Sequence, residues 1–409
     1  MAKDFILRNY RHFLHGADYN PEQWRKYPDI LAEDMRLMRL ANCNEMTVGV
    51  FSWSSIEPTE GHFDFSFLDE AIENIYRVGG RIILATPSGA RPKWLADKYP
   101  EVLRVLEDGT RRSFGTRHNH CFTSPIYREK TKIIDLKLAE RYHDHPAVVA
   151  WHISNEFGGE NRGECHCELC CQAFRDWLRD KYKTIDELND QWWTTFWSHN
   201  YNSFDDIEPP SGLGQYELTG LNLDWRRFTS HQATEFMKSE INTVRQIDSS
   251  IPVTTNLMDY FEWIDYREMA RELDFVSVDA YPDWTGEENH DIDEAQKAAA
   301  FYDLARSLCD RPFLMMESAP SLVNWRAVNR PKRPGMHMLS AMQAVAHGSD
   351  SVQYFQWRAG PYSLKYQCRN YSCIHLWYAR DGLLSLLQGY LFVLNLNCKV
   401  KRNTCLCDL

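Results

Sequence analysis

Two glutamate residues stand at the ends of short apolar segments of this 409-residue chain. Residues 148–153 lead into Asn155 and Glu156, and residues 313–316 lead into Glu317. Such runs are typical of parallel strands buried on both faces, whose polar tips project at the carboxyl edge of the sheet. Two carboxyl groups from different strands are what glycoside hydrolysis requires, one as acid and one as nucleophile. A structural ion pair is the alternative for either glutamate taken alone.

The rest of the sequence alternates between predicted strands and predicted helices. Strands are predicted at residues 13–17, 44–51, 81–86, 148–153, 251–256, 275–280, 313–317 and 351–356. Apolar residues at helical spacing predict helices between them, at residues 30–41, 67–78 and 127–142. This pattern predicts an α/β fold, a (β/α)₈ TIM barrel with loop insertions and an active site at the carboxyl ends of its strands. The tryptophan-rich segment 183–220 lacks clear periodicity, and we interpret it as an elaborated loop near that face.

Composition limits the partners and the location of the protein. The chain has 46 basic and 57 acidic residues, and its net charge of −11 disfavours nucleic acid and anionic membranes as partners. The apolar run 383–396, about 14 residues long, is short for a membrane span. Residues 1–8 lack the continuous apolar segment of a secretory signal, which favours a cytoplasmic location.

Four cysteines have the types and spacing of metal ligands. Cys165, Cys167 and Cys170 form a C-x-C-x₂-C run shortly after Glu156, and Cys121 lies in the preceding predicted barrel loop. Four thiolates from adjacent loops suit a closed, structural, tetrahedral zinc site. The alternatives are four reduced thiols without a metal, or a ligand set that includes a neighbouring residue, namely Cys171, His118, His120 or His166.

Four motifs then identify a resemblance. They are GADYNPEQW at 16–24, FSWSSIEP at 51–58, WHISNEFG at 151–158 and ME at 316–317. From about Gly16 to Arg358 the chain resembles the catalytic barrel of glycoside hydrolase family 42, the bacterial β-galactosidases. The resemblance implies a retaining exo-acting enzyme that removes terminal β-D-galactose from β-galactosides by double displacement.

The resemblance also implies roles for individual residues. Glu156 would be the general acid/base and Glu317 the nucleophile, so their surroundings should separate their pKa values. Arg117 and Trp325 match residues of the galactose pocket. The amide of Asn155 is suited to donate to the sugar 2-hydroxyl. Tyr281 matches a tyrosine whose hydroxyl would hold the nucleophile and keep it ionised. The four cysteines match those that bind zinc in the family members that have them.

The resemblance stops after Arg358. Residues 1–358 are therefore interpreted as the catalytic domain, and residues 359–409 as a divergent tail with at most part of a final helix. The family's trimer-forming domain does not follow, so the family trimer is not carried over to this chain. A truncated relic that is weakly active or inactive, and at most binds sugar, is the alternative function. A sugar-binding module without catalysis is the third.

Overall fold

The computed structural model describes residues 6–7, 10–159, 161–212, 214–215, 218–320, 323, 326, 330 and 332–358. Trp325 and the tail 359–409, for which the sequence raised expectations, lie outside the described residues. Within the described part, no helix is long and apolar enough to cross a bilayer.

Parallel strands form a closed ring. In the described part of the chain they are β1 (Leu14–Tyr19), β2 (Glu45–Val48), β3 (Arg81–Ala85), β4 (Val148–His152), β5 (Val253–Thr254), β6 (Asn256–Met258), β7 (Ser277–Asp279), β8 (Leu314–Glu317) and β9 (Ser351–Tyr354). β5 pairs with β4 and β6 pairs with β7, so these two are halves of one barrel strand interrupted at Thr255. β1 pairs with both β2 and β9, and a bridge between Phe313 and Ser349 brings β8 to β9. The predicted (β/α)₈ barrel is confirmed.

Helices cover the outside of the ring. The described helices are α1 (Pro28–Leu40), α2 (Trp53–Ile56), α3 (Ser66–Arg77), α4 (Lys93–Lys98), α5 (Pro125–Tyr142), α6 (Glu168–Tyr182), α7 (Ile185–Trp192), α8 (Thr219–Arg245), α9 (Tyr266–Ala270), α10 (Glu288–Cys309) and α11 (Met336–Ala346). α5 begins two residues before its predicted start, because Pro125 suits a first turn and the Ser124 hydroxyl accepts a hydrogen bond from the Tyr127 amide.

The insertion between α6 and α8 is more ordered than the sequence predicted. Residues 185–192 form α7, whose first turn is capped by the Thr184 hydroxyl, which accepts from the Glu187 amide. The expectation of an irregular loop is therefore wrong for this stretch. Its periodicity was too weak to detect because Leu188 is the one fully buried side chain that this short helix contributes. Leu188 belongs to a second core, which also contains the four cysteines.

A buried carboxylate ties α1 to the end of the last barrel strand. Asp34, fully buried in α1, accepts hydrogen bonds from Trp357 Nε1 at 2.9 Å and from Arg358 Nε and Nη2 at 2.9 and 2.6 Å. The Arg358 side chain is only 9% exposed. Since a buried guanidinium needs a partner, Asp34 fixes the chain segment that closes the ring beside β1.

Replacement of Asp34 by Ala should strongly destabilise the barrel, because it leaves the Arg358 cation buried without its carboxylate. The expected loss is about 3–5 kcal/mol of unfolding free energy, measured by chemical denaturation. Glu33→Ala on the same helix is the control: Glu33 pairs with the exposed Arg36, so it should change stability little. Equal losses in the two variants would contradict the role given to Asp34.

Candidate active site

An irregular pairing of β7 with β8 aims Glu317 into the barrel mouth. Val278 pairs with Met315, whereas the next residue, Asp279, pairs with Glu317, so Met316 is an extra residue. Met315 contacts Tyr302 on α10, outside the sheet. Regular alternation would direct Glu317 to that same outer side. The shift in register turns its carboxyl group inward, as a β-bulge does.

The Glu156 backbone is held by the neighbouring strands. Beyond the end of β4, Ser154 and Glu156 adopt φ values of +57° and +38°, a region that costs free energy for residues other than glycine. The Ser154 amide donates to Thr86 Oγ1 at 2.7 Å, and the Glu156 amide donates to Asn256 Oδ1 at 2.8 Å. These two bonds fix the unusual backbone from both sides.

Three carboxyl groups converge at the barrel mouth. One oxygen from each of Glu156, Asp279 and Glu317 lies within 4.8 Å of the other two. The two carboxyl groups of a retaining glycosidase stand about 5–5.5 Å apart, whereas an inverting pair is separated by about 6.5–9.5 Å. An approach of the Glu156 and Glu317 oxygens to within 4.8 Å is compatible with the arrangement of a retaining pair.

Each glutamate has its own donors. Arg117 Nη2 lies 2.6 Å from Glu156 Oε2, and the Arg117 side chain remains 40% exposed. The Tyr281 hydroxyl donates to Glu317 Oε2 at 2.5 Å. Asn155 is fully buried, and its Nδ2 faces Glu156 Oε2 at 3.4 Å. Five of the six residues predicted for the strand ends and the sugar pocket thus come together, with Arg117, Asn155 and Tyr281 around the pair of Glu156 and Glu317. The sixth, Trp325, lies outside the described residues.

The side chain of Asn256, the first residue of β6, joins both glutamates. Its Oδ1 accepts from the Glu156 amide and from His152 Nε2, the latter at 3.0 Å. Its Nδ2 lies 3.1 Å from Glu317 Oε1. Burial lowers the pKa of His152 to about 4, so this imidazole is neutral and donates from Nε2.

Burial and mutual repulsion raise the pKa values of this cluster. Burial first, then the neighbouring Glu156, raises the pKa of Glu317 to about 8, against the opposing effects of Tyr281, Arg117 and Asn256. The pKa of Asp279 is raised by burial and by the same two glutamates. An ionised nucleophile beside a protonated acid was expected from the sequence. In the structure, the pKa of Glu317, the candidate nucleophile, is itself raised.

Three polar residues of the site were missed in the sequence. Asn256 ends a predicted strand, and the polar-tip signal that singled out Glu156 applies to it equally. Asp279 interrupts an apolar strand two residues before Tyr281. Asp18, at 1% exposure, has no hydrogen-bond partner for either carboxyl oxygen in the described part of the chain. Burial, followed by Glu317, raises the pKa of Asp18.

The four predicted cysteines form a second cluster, away from the carboxyl groups. Their sulfur atoms all lie within 4.8 Å of one another, and Cys121 Sγ is 3.7 Å from Cys167 Sγ and 3.3 Å from Cys170 Sγ. Ligands about 2.3 Å from a tetrahedral zinc ion would be separated by similar distances. The Val105 amide donates to Cys165 Sγ at 3.4 Å, as amides do towards thiolates. This buried group can bind a metal ion.

Neighbouring candidates for ligands point elsewhere. The thiol of Cys171 faces the His166 carbonyl oxygen at 3.8 Å. The His120 ring stacks on Tyr127 at a centroid distance of 4.2 Å. Among the described residues, the donor set that converges is the four cysteines.

Comparison with known proteins places the chain in a family. The profile of glycoside hydrolase family 42, described as β-galactosidase, matches residues 18–369. The chain is 55% identical to β-galactosidase BglY of Alicyclobacillus acidocaldarius over 86% of its own length and 51% of BglY. It is 52% identical to β-galactosidase GanA of Bacillus subtilis over 84% of its length and 52% of GanA. The chain thus spans about half the length of these curated relatives.

Solved structures agree with this assignment. The β-galactosidase from Rahnella sp. R3 superposes with a TM-score of 0.91 at 45% identity, over 96% of this chain and 57% of that one. Gan42B, a family 42 β-galactosidase, superposes with a TM-score of 0.90 at 49% identity, over 94% of this chain and 57% of that one. With its sequence, its barrel and its paired strand-end glutamates in agreement, the chain belongs to glycoside hydrolase family 42.

Proposed function

We propose that this chain carries the catalytic barrel of a retaining exo-β-galactosidase, with Glu156 as general acid/base and Glu317 as nucleophile. The observation that carries the proposal is the approach of their carboxyl oxygens to within 4.8 Å at the mouth of the barrel. The curated relatives, which are named β-galactosidases, support galactosides as the substrates. The chain spans about half the length of those proteins.

Two displacements at the anomeric carbon follow from this geometry. Glu317 attacks the carbon and forms a glycosyl ester, while Glu156 gives its proton to the departing oxygen. Glu156 then takes a proton from the water that hydrolyses the ester, and the Glu317 carboxylate is restored. The hydrogen bond from Tyr281 favours the ionised form of Glu317 that attacks.

Two further residues would position the sugar. Asn155 Nδ2 has a second hydrogen beyond the one directed at Glu156, and this hydrogen can donate to the 2-hydroxyl. Such a bond strengthens as the transition state develops. Arg117, half-exposed beside Glu156, presents further donors to a hydroxyl group. Trp325 is assigned to the same pocket from the family resemblance alone.

We also assign the four-cysteine cluster to a structural zinc ion. Cys121, Cys165, Cys167 and Cys170 would hold it, and the ion would join the loop after β3 to the start of α6. Four sulfur ligands leave no position for water, so the ion would stabilise the second core and take no part in the chemistry. Thiolate ligands require reduced cysteines, which supports the cytoplasm as the location.

The barrel is proposed to be complete within residues 1–358, and the segment 359–409 to be a separate tail. Arg358 already pairs with Asp34 on α1, next to the first strand, which supports this boundary. β-Galactosides are the proposed partners, and the net charge of −11 disfavours nucleic acid or an anionic membrane.

Hydrolysis of aryl β-galactosides tests the two catalytic roles. Glu317→Gln should abolish turnover of every substrate. Glu156→Gln should slow substrates with poor leaving groups by about 10²- to 10⁴-fold, but spare the first step with good leaving groups, which need no proton. Glu262→Gln, at an exposed glutamate, is the control. Equal losses on all substrates in both active-site variants would contradict the assignment, and an inactive parent chain would favour the relic.

Thermal stability should report the raised pKa of Glu317. A carboxyl group whose pKa rises from 4.5 to about 8 on folding releases its proton on unfolding between these values, so stability falls as pH rises through that window. Glu317→Gln removes this titration. The variant should melt several degrees above the parent near pH 8, and the difference should shrink towards pH 4.5. A difference that is the same at both pH values would exclude the proposed cause.

Metal analysis tests the zinc site. We expect about one zinc per chain, and chelation should lower the melting temperature more than the rate at moderate temperature. Cys170→Ser should reproduce this loss, whereas Cys171→Ser, at the adjacent thiol outside the cluster, should keep the metal. Immediate loss of activity on chelation with an unchanged melting temperature would indicate a catalytic metal instead.

A further inference from the structure

A third buried carboxyl group, that of Asp279, lies against the proposed catalytic pair. Asp279 is the last residue of β7, is 2% exposed, and has one oxygen within 4.8 Å of both Glu156 and Glu317. The reaction proposed above needs two carboxyl groups and gives this one no task. An ionised third carboxylate would repel the other two and would cost free energy.

The hydrogen bonds of Asn256 limit how many of its neighbours are ionised. Its Oδ1 must face the Glu156 amide, which can only donate, so Nδ2 faces the opposite way. There it meets three acceptors: Asn155 Oδ1 at 3.0 Å, Asp279 Oδ2 at 2.6 Å and Glu317 Oε1 at 3.1 Å. An amide nitrogen has two hydrogens. One of these three oxygens therefore lacks a donor unless a carboxyl group in the set supplies its own proton.

The proposed reaction indicates where that proton lies. Of the three acceptors around Asn256 Nδ2, only Asp279 and Glu317 are acids that can carry a proton of their own. Glu317 has to be ionised to attack the sugar, and the Tyr281 hydroxyl donates to it. Asp279 Oδ1 has no donor in the described part of the chain, and one Asp279 oxygen lies within 4.8 Å of a Glu156 oxygen. The proton is therefore best placed on Asp279, beside Glu156.

The charged and titratable groups around Asp279 also affect whether its carboxyl group is protonated. The titratable side chains that face it are those of Glu317, Glu156, Asp18, Tyr281 and Tyr266. All five are acids that add negative charge or a neutral hydroxyl, and the Arg117 cation acts on Glu156 and Glu317. Burial and these neighbours raise the pKa of Asp279, in agreement with the hydrogen-bond count.

We propose that Asp279 is a positioning residue of the glycosidase reaction: it stays protonated and donates its carboxyl hydrogen to Glu156. This inference rests on the proposed function. In the first displacement the negative charge moves from Glu317, which becomes an ester, to Glu156, which has lost its proton to the leaving oxygen. The Asp279 hydrogen then stabilises the new Glu156 carboxylate. When Glu156 takes a proton from water in the second displacement, the charge returns to Glu317.

Two substitutions at Asp279 separate this role from the alternatives. Asp279→Asn keeps a neutral donor and should retain activity within a few fold, with an unchanged pH profile. Asp279→Ala removes the donor and should lower kcat for β-galactosides with poor leaving groups by about 10- to 100-fold, the worth of one hydrogen bond to a charged group. It should affect the first step with good leaving groups much less. Asp310→Asn, an exposed position at the end of α10, is the matched control.

Three kinetic outcomes would overturn the proposal. Asp279→Ala with parental activity would show that the donor is dispensable. Asp279→Asn as impaired as Asp279→Ala, or with the basic limb of its kcat/KM profile shifted to lower pH, would show that Asp279 acts as an anion that raises the pKa of Glu156. Equal loss on all substrates in Asp279→Ala would indicate a purely structural role, through Asn256.

Infrared spectroscopy decides the same question without turnover. Near neutral pH the parent protein should show the carbonyl stretch of a protonated carboxylic acid that is absent from Asp279→Asn and present in Asp310→Asn. Identical spectra for the parent and Asp279→Asn would overturn the proposal. If the parent chain does not hydrolyse β-galactosides, the proposed function fails, and the infrared comparison alone decides whether Asp279 is protonated.

Discussion

The amide side chain of Asn256 fixes the relative positions of the two proposed catalytic glutamates. Its oxygen receives the Glu156 backbone amide and its nitrogen reaches the Glu317 carboxylate, so β6 connects the loop after β4 to the end of β8. Asn256 follows Thr255, where the barrel strand is interrupted. A buried amide with all its neighbours polar holds a rigid geometry, because every alternative orientation leaves a donor facing a donor or an acceptor facing an acceptor.

The repulsion among the buried carboxyl groups of the site is offset by stabilising contacts elsewhere in the barrel. Asp18, Glu156, Asp279 and Glu317 are all buried near one another, and each ionised form repels the others. Such a cluster destabilises the folded state at neutral pH. The closed ring of parallel strands, the Asp34–Arg358 contact and the second core hold it together. The contacts that stabilise the fold thus lie away from the site, whereas the groups proposed to react are the ones that destabilise it.

Much of the fold could be predicted from the sequence, since eight apolar segments with helices between them leave few arrangements other than a barrel. Glu156 and Glu317 stood out because each is a carboxylate at a strand tip. The inward turn of Glu317 could not be predicted, because the register shift at Met316 depends on pairing with β7. The roles of Asn256 and Asp279 were hidden for a similar reason. Their contacts join residues that are 23 to 101 positions apart in the chain.

The donors around Glu317 form a preorganised receptor for a carboxylate. The Asn256 amide belongs to β6 and the Tyr281 hydroxyl to the segment just after β7, and they donate to the two oxygens of Glu317 separately. If the glutamate were shortened to glycine, these groups would face a space shaped for a small anion. Formate or azide could then occupy it and attack the sugar in place of the side chain. The carboxylate of Glu317 could thus be replaced by a small anion, whereas the donors of Tyr281 and Asn256 that orient it could not be replaced in this way.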